Sequence, residues 1–125
     1  MRWIVDAMNV IGVRPDGWWK NRRRAMVRLV DQLERWALAE GQHVKVVFEH
    51  PTSPPIHSAV IQIGHAPAAG ANSADDEIVR LIRADDRPDE IKVVTSDITL
   101  ADRVRDAGAS VYPAASFRNL IDPLG

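Results

Sequence analysis

Residues 91–108 read IKVVTSDITLADRVRDAG. The aliphatic run at 91–95 is short and rich in Val and Ile, as in a buried strand. It gives way to Ser96-Asp97, whose short oxygen-bearing side chains suit a helix start, and the stretch that follows has a helical pattern that stops at Gly108. A strand, a polar turn and a helix in one short span make a βα unit of the kind that builds parallel sheets.

The same alternation runs outward in both directions. WIVD, VKVVFE, AVIQI and SVYP predict strands at about 2–6, 44–49, 59–63 and 110–112. Between them lie amphipathic stretches. The helix predicted over about 22–40 sets Met26, Leu29, Val30, Leu33, Trp36 and Ala37 on one stripe, with Arg24, Arg28, Asp31 and Arg35 opposite. Gly41 serves as its C-terminal stop. A further helix follows Asn72-Ser73, either of which can cap it, and the tail from about Ala115 to Ile121 is a last short helix. The expected architecture is α/β, a single doubly wound domain over 1–125 with a mostly parallel five-stranded sheet. Two connections interrupt the regularity: PTSPPIHS at 51–58 is stiffened by proline, and GHAPAAGANS at 64–73 is rich in small residues.

Composition sets limits on the chemistry. A chain of 125 residues, 46% hydrophobic and 26% charged, has the makings of one core and not those of a disordered segment. The absence of cysteine excludes thiolate metal sites and thiol nucleophiles, and fits a reducing, cytoplasmic setting. The apolar run at the N-terminus is broken by Asp6 and Asn9, which makes it too polar for a signal peptide or a membrane span. A net charge of −1 gives no global positive field to attract nucleic acid.

In an open parallel sheet, ligands bind beyond the carboxyl ends of the strands, where strand order reverses. Reading each strand to its end gives Asp6, Glu49 and Ser96-Asp97, while Asp75 and Asp76 lie in the first turn of the helix after the 64–73 loop. Several carboxylates in one crevice repel one another unless protons or a cation offset their charge. Mg²⁺ or Mn²⁺ suits such all-oxygen ligands and can activate water for attack on a phosphoryl centre. Each acid also has a structural role open to it: Ser96 and Asp97 can cap a helix, and Asp75 and Asp76 can complement its dipole. Asp6 is expected to have no such role, because no helix is read after it. Asn9 can fix its loop or face the site. Adjacent helical residues point about 100° apart, so Asp75, in register with Ile78, Val79 and Ile82, is the better ligand. Asp76 aligns with Arg80 and Arg83 on the solvent side, where ordinary ion pairs are available.

The run Lys20-Asn21-Arg22-Arg23-Arg24 has two readings, a solvated basic turn or a phosphate-contacting patch with Trp18 and Trp19 ready to stack on bases. The four histidines have no metal-ligand spacing, and neither a nucleophile elbow nor a glycine-rich phosphate loop occurs.

Taken together, VDAMNVIG, VVFEHP, NSADDEIVRLI and VVTSDITLADRVRDAGASVYPAASF resemble, in order and spacing, the YacP-like branch of the NYN domains, a PIN-like ribonuclease group. The resemblance spans nearly the whole chain. It implies a metal-dependent endoribonuclease in which Asp6, Asp75 and Asp97 bind Mg²⁺ or Mn²⁺, with Asn9, Ser96, Asp76 and Glu49 in support. Members of this branch commonly carry Asp where this chain has Glu49, one methylene longer and still able to reach a metal-bound water. RNA is the expected partner, guided by Lys20, Arg22, Arg23, Arg24 and the 64–73 loop. The alternatives are a non-catalytic RNA-binding or protein-docking module on the same fold and, last, an aspartyl phosphatase or phospho-receiver, whose signatures the chain lacks. Neither a second copy of the chain nor a ribosomal or RNA-processing partner is specified by these residues.

Overall fold

The computed structural model describes residues 1–67 and 73–122. Five strands, β1 (Arg2–Asp6), β2 (His43–Phe48), β3 (Gln62–His65), β4 (Ile91–Val94) and β5 (Ser110–Tyr112), form one sheet in the order β3-β2-β1-β4-β5. Every pairing is parallel. The chain steps outward from β1 to β2 and β3, then returns to β1's other side to lay down β4 and β5. Strand order therefore reverses between β1 and β4, and a crevice at their carboxyl ends is the expected binding position.

Helices cover both faces, as the apolar strands demand. On one face, α1 (Ala7–Ile11), α2 (Arg22–Glu40) and α5 (Ala114–Ile121) pack on Trp3, Val5, Val46 and Phe48. On the other, α3 (Ser73–Arg83) and α4 (Ile98–Asp106) pack on Ile4, Val47, Ile91 and Val93. The α2 stripe is placed as its periodicity requires: Leu29, Val30, Leu33 and Ala37 are buried. Asn21 caps the helix by accepting from the Arg24 amide at 3.0 Å. Gly41 ends it with φ of 63°, a left-handed conformation that glycine adopts without a Cβ penalty.

Two expectations needed correction. The third strand was placed at 59–63 but occupies 62–65. Ser58 Oγ accepts from the amides of Val60 and Ile61 at 3.1 and 3.0 Å and donates to Glu34, so the backbone at 58–61 is held in a turn and not in the ladder. A helix, α1, does start directly after Asp6; five residues are too few to display a helical period. The sheet, expected to be mostly parallel, is parallel throughout. Asn72, one of the two residues expected to cap α3, lies outside the described residues, as do residues 68–72 of the 64–73 loop. Among the described residues no helix is long and apolar enough to cross a membrane.

Candidate active site

Asp6 closes β1 at the point of strand reversal and is only 6% exposed. Although it occupies the N-cap position of α1, its side chain makes no capping bond. Its Oδ2 accepts instead from Thr95 Oγ1 at 3.1 Å, across the reversal from the end of β4. Burial pushes the Asp6 carboxyl up to about 7; the Thr95 hydrogen bond opposes that shift, and the charges of Asp75, Asp97 and Glu49 add to it. Acids from β1, the end of β2, α3 and the start of α4 thus bear on one another.

No role was expected of Thr95 itself, yet it organises the crevice. The same hydroxyl oxygen that donates to Asp6 accepts from the Asp97 amide at 3.1 Å. Asp97 then caps α4 through Oδ1, which accepts from the Leu100 amide at 3.0 Å. The structural role weighed for Asp97 is real and occupies one carboxylate oxygen, leaving the second with no bond to a described residue. The available signal for Thr95 was a hydroxyl at the end of an otherwise aliphatic strand.

Asn9 and Ser96 act on the backbone. Asn9 Oδ1 accepts from the Ser96 amide at 2.8 Å, and Ser96 Oγ accepts from the Ala114 amide at 2.9 Å. These two residues tie the turns after β1, β4 and β5 together.

On α3, Asp75 is half-buried, whereas Ala74, Ile78, Val79 and Ile82 are buried against the sheet. Burial first, and the Asp97 charge second, raise the Asp75 carboxyl above its usual range, and Arg103 acts the other way. Asp76 is exposed, but its partner is not on its own helix. It pairs with Arg103 of α4 at 2.9 Å. Arg80, expected as a partner of Asp76, grips Glu77 with both Nε and Nη2, at 2.8 and 2.7 Å. The packing of α4 beside α3 supplies an inter-helix cation that helical periodicity alone cannot reveal.

The basic run divides. The Arg22 guanidinium lies 5.4 Å from the Trp18 ring centre and lines a 90 Å³ cleft with Glu49 and His50. Arg23 donates to the Pro54 carbonyl at 2.7 Å, which ties α2 to the proline segment. Lys20 and Arg24 line a separate cavity farther along. Of the histidines, His50 and His65 place Nδ1 at 3.0 and 2.8 Å from the carbonyls of Pro51 and Ala66.

Hard-cation chemistry fits this donor set, all oxygen and poor in compensating positive charge. Among the described residues, however, no three acidic or histidine side chains gather as a ready ligand cage. A hard cation bound to such a set would be held by few carboxylates and would keep much of its water, the usual habit of Mg²⁺.

Comparison with known proteins agrees with this fold. The family model of the YacP-like NYN domain matches residues 3–124. Two crystal structures of Rae1 (YacP) from Bacillus subtilis, one of them a tryptophan-to-leucine mutant, superpose with TM-scores of 0.81 and 0.77 for the unmutated and mutant chains. Each is 22% identical to this chain, covers 97% of it and is itself covered over 73% or 74% of its length. No curated protein sequence matches. The fold is thus of ribonuclease type, and the chain belongs to the YacP-like NYN domain family.

Proposed function

We propose that this protein is a Mg²⁺- or Mn²⁺-dependent ribonuclease whose acidic crevice hydrolyses RNA phosphodiester bonds. The observation that supports the reading is Asp6 buried at the point of strand reversal, its carboxyl pushed up by burial and further by the charges of Asp75, Asp97 and Glu49, a repulsion that a cation would offset. Asp6, Asp75 and Asp97 would hold the ion, which would supply Lewis-acid activation of the phosphoryl group and of the attacking water. Thr95 orients the Asp6 carboxylate, and Asn9 and Ser96 keep the Asp97 turn in place. Glu49 and Arg22, sharing one cleft, stand where an incoming strand can be met by an acceptor and a cation. A cysteine-free chain is suited to a reducing cytoplasm.

A second reading, a module that binds RNA without cleaving it, draws on the lack of a preformed cage among the described residues. Metal addition separates the two. Cleavage of a mixed RNA in Mn²⁺ and its loss in EDTA are expected. Thermal melts should show native-state stabilisation of about 2.7 kcal/mol at a hundredfold excess of ion over Kd. RNA binding with no cleavage, and melts that coincide with and without metal, would reject the nuclease reading in favour of the module.

A further inference from the structure

A second cluster of charge lies at the other end of α1. Asp6 precedes this helix and Ile11 closes it; Ile11 also lines a cavity of about 340 Å³ between α2, α5 and the Trp18–Lys20 turn. Four cationic side chains, Lys20, Arg24, Arg28 and Arg118, line the cavity against one acid, Asp16, with Trp18 in its wall. Arg118 is the telling member. It is 6% exposed, on the apolar stripe of α5 beside Ala114, Phe117 and Ile121. Its Nη1 donates to the Val10 carbonyl at 3.2 Å and its Nη2 faces Asp16 at 3.3 Å, while Nε is buried with no partner among the described residues.

Such a guanidinium is held against its own preferences. Burial, and then the positive charge of Arg14, disfavour its charged form; Arg28 adds to this, and Asp16 and Asp122 offset only part of it. Arg14 is itself paired with Asp122 and hydrogen-bonded to Asn119. The start of α2 adds to the excess, since its first turn carries no acid to complement the helix dipole. A bound anion would supply the missing negative charge to the four cations that line the cavity. The surrounding donors favour a tetrahedral oxyanion over a planar carboxylate, because they come from three separate segments and Arg pairs readily with phosphate oxygens.

We propose that this cavity is a phosphate-binding site, separate from the acidic crevice, that takes the phosphate group of a nucleotide, free or within an RNA strand. It stands whether or not the acidic crevice cleaves RNA.

Arg118 is too deeply buried for its replacement to test binding apart from folding. The exposed residues Arg24 and Arg28 serve instead. In EDTA, calorimetric titration with inorganic phosphate and with AMP is expected to show binding that chloride and acetate at matched ionic strength do not reproduce. The R24Q/R28Q pair should weaken it by about tenfold. R83Q/R105Q removes the same charge from exposed positions of α3 and α4, on the other face of the sheet and outside the cavity, and should leave phosphate and AMP affinity within about twofold. A single-stranded RNA carrying a 5′-phosphate then identifies the source. Competitive displacement by AMP places the strand's own phosphate in the cavity, and simultaneous binding assigns the site to a free nucleotide. Absence of phosphate binding above the chloride and acetate controls, or equal loss in the two double mutants, would overturn the proposal.

Discussion

Asp6→Asn is expected to abolish metal-dependent cleavage while making the metal-free protein more stable at pH 8. The wild-type carboxyl titrates near 7 in the folded state against an ordinary value of 3.8. Between these values the unfolded chain has released a proton that the folded chain retains, so the native state binds more protons and stability falls as pH rises through this window. At about 1.4 kcal/mol per unit, the loss has an upper value of about 4 kcal/mol by pH 8. Asn has nothing to titrate, yet its side-chain oxygen can still accept from Thr95. The difference in melting temperature between mutant and wild type in EDTA should therefore grow in the mutant's favour from pH 5 to pH 8. Mn²⁺ should stabilise wild type much more than the mutant, and cleavage should drop by about a hundredfold or more, the equivalent of a few kcal/mol of transition-state stabilisation. A difference in melting temperature that stays constant across this range would mean that Asp6 is not held protonated and that the other acids do not converge on it.

The adjacent acids of α3 should part company just as sharply. Asp75→Asn removes a half-buried carboxylate whose proton affinity is already raised by burial and by Asp97, so it should cost about a hundredfold or more in cleavage and leave the metal-free fold no less stable. Asp76→Asn removes an exposed partner of Arg103, an interaction of at most about 1 kcal/mol, and should keep cleavage within about threefold. Purified mutants compared on one RNA in Mn²⁺ decide the matter. A dead Asp76 variant beside a live Asp75 variant would mean that the working face of α3 is the one that meets Arg103 of α4.

Much of this arrangement could be read from residue order because strand ends and helix starts have strong local chemistry. Asp6 after WIV and Asp97 after VVTS mark carboxyl ends whatever the tertiary packing. The rotation of α3 was equally accessible: Ile78, Val79 and Ile82 fix its buried side, and Asp75 follows. What was not legible depends on contacts between distant segments. Arg103 reaches Asp76 only because α4 lies beside α3, and Thr95 matters only because β4 is laid next to β1. The displacement of β3 shows a local rule overridden by another. AVI at 59–61 is good strand sequence, but Ser58 offers the backbone a competing set of hydrogen bonds. Arg118 did carry a sequence signal, a cation on the apolar stripe of the final helix, visible once that stripe is drawn through Ala114, Phe117 and Ile121.

The hydrogen bonds through Asn9, Thr95 and Ser96 have a kinetic meaning as well as a geometric one. Asn9 holds the Ser96 amide, Ser96 holds the Ala114 amide, and Thr95 bridges Asp6 and the Asp97 amide. None of the turns after β1, β4 and β5 can swing away without breaking a bond to another, so local opening there is shared. The amide protons of Ser96, Asp97 and Ala114 should exchange with solvent at comparable rates, as one cooperative unit, although they belong to two different turns of the chain.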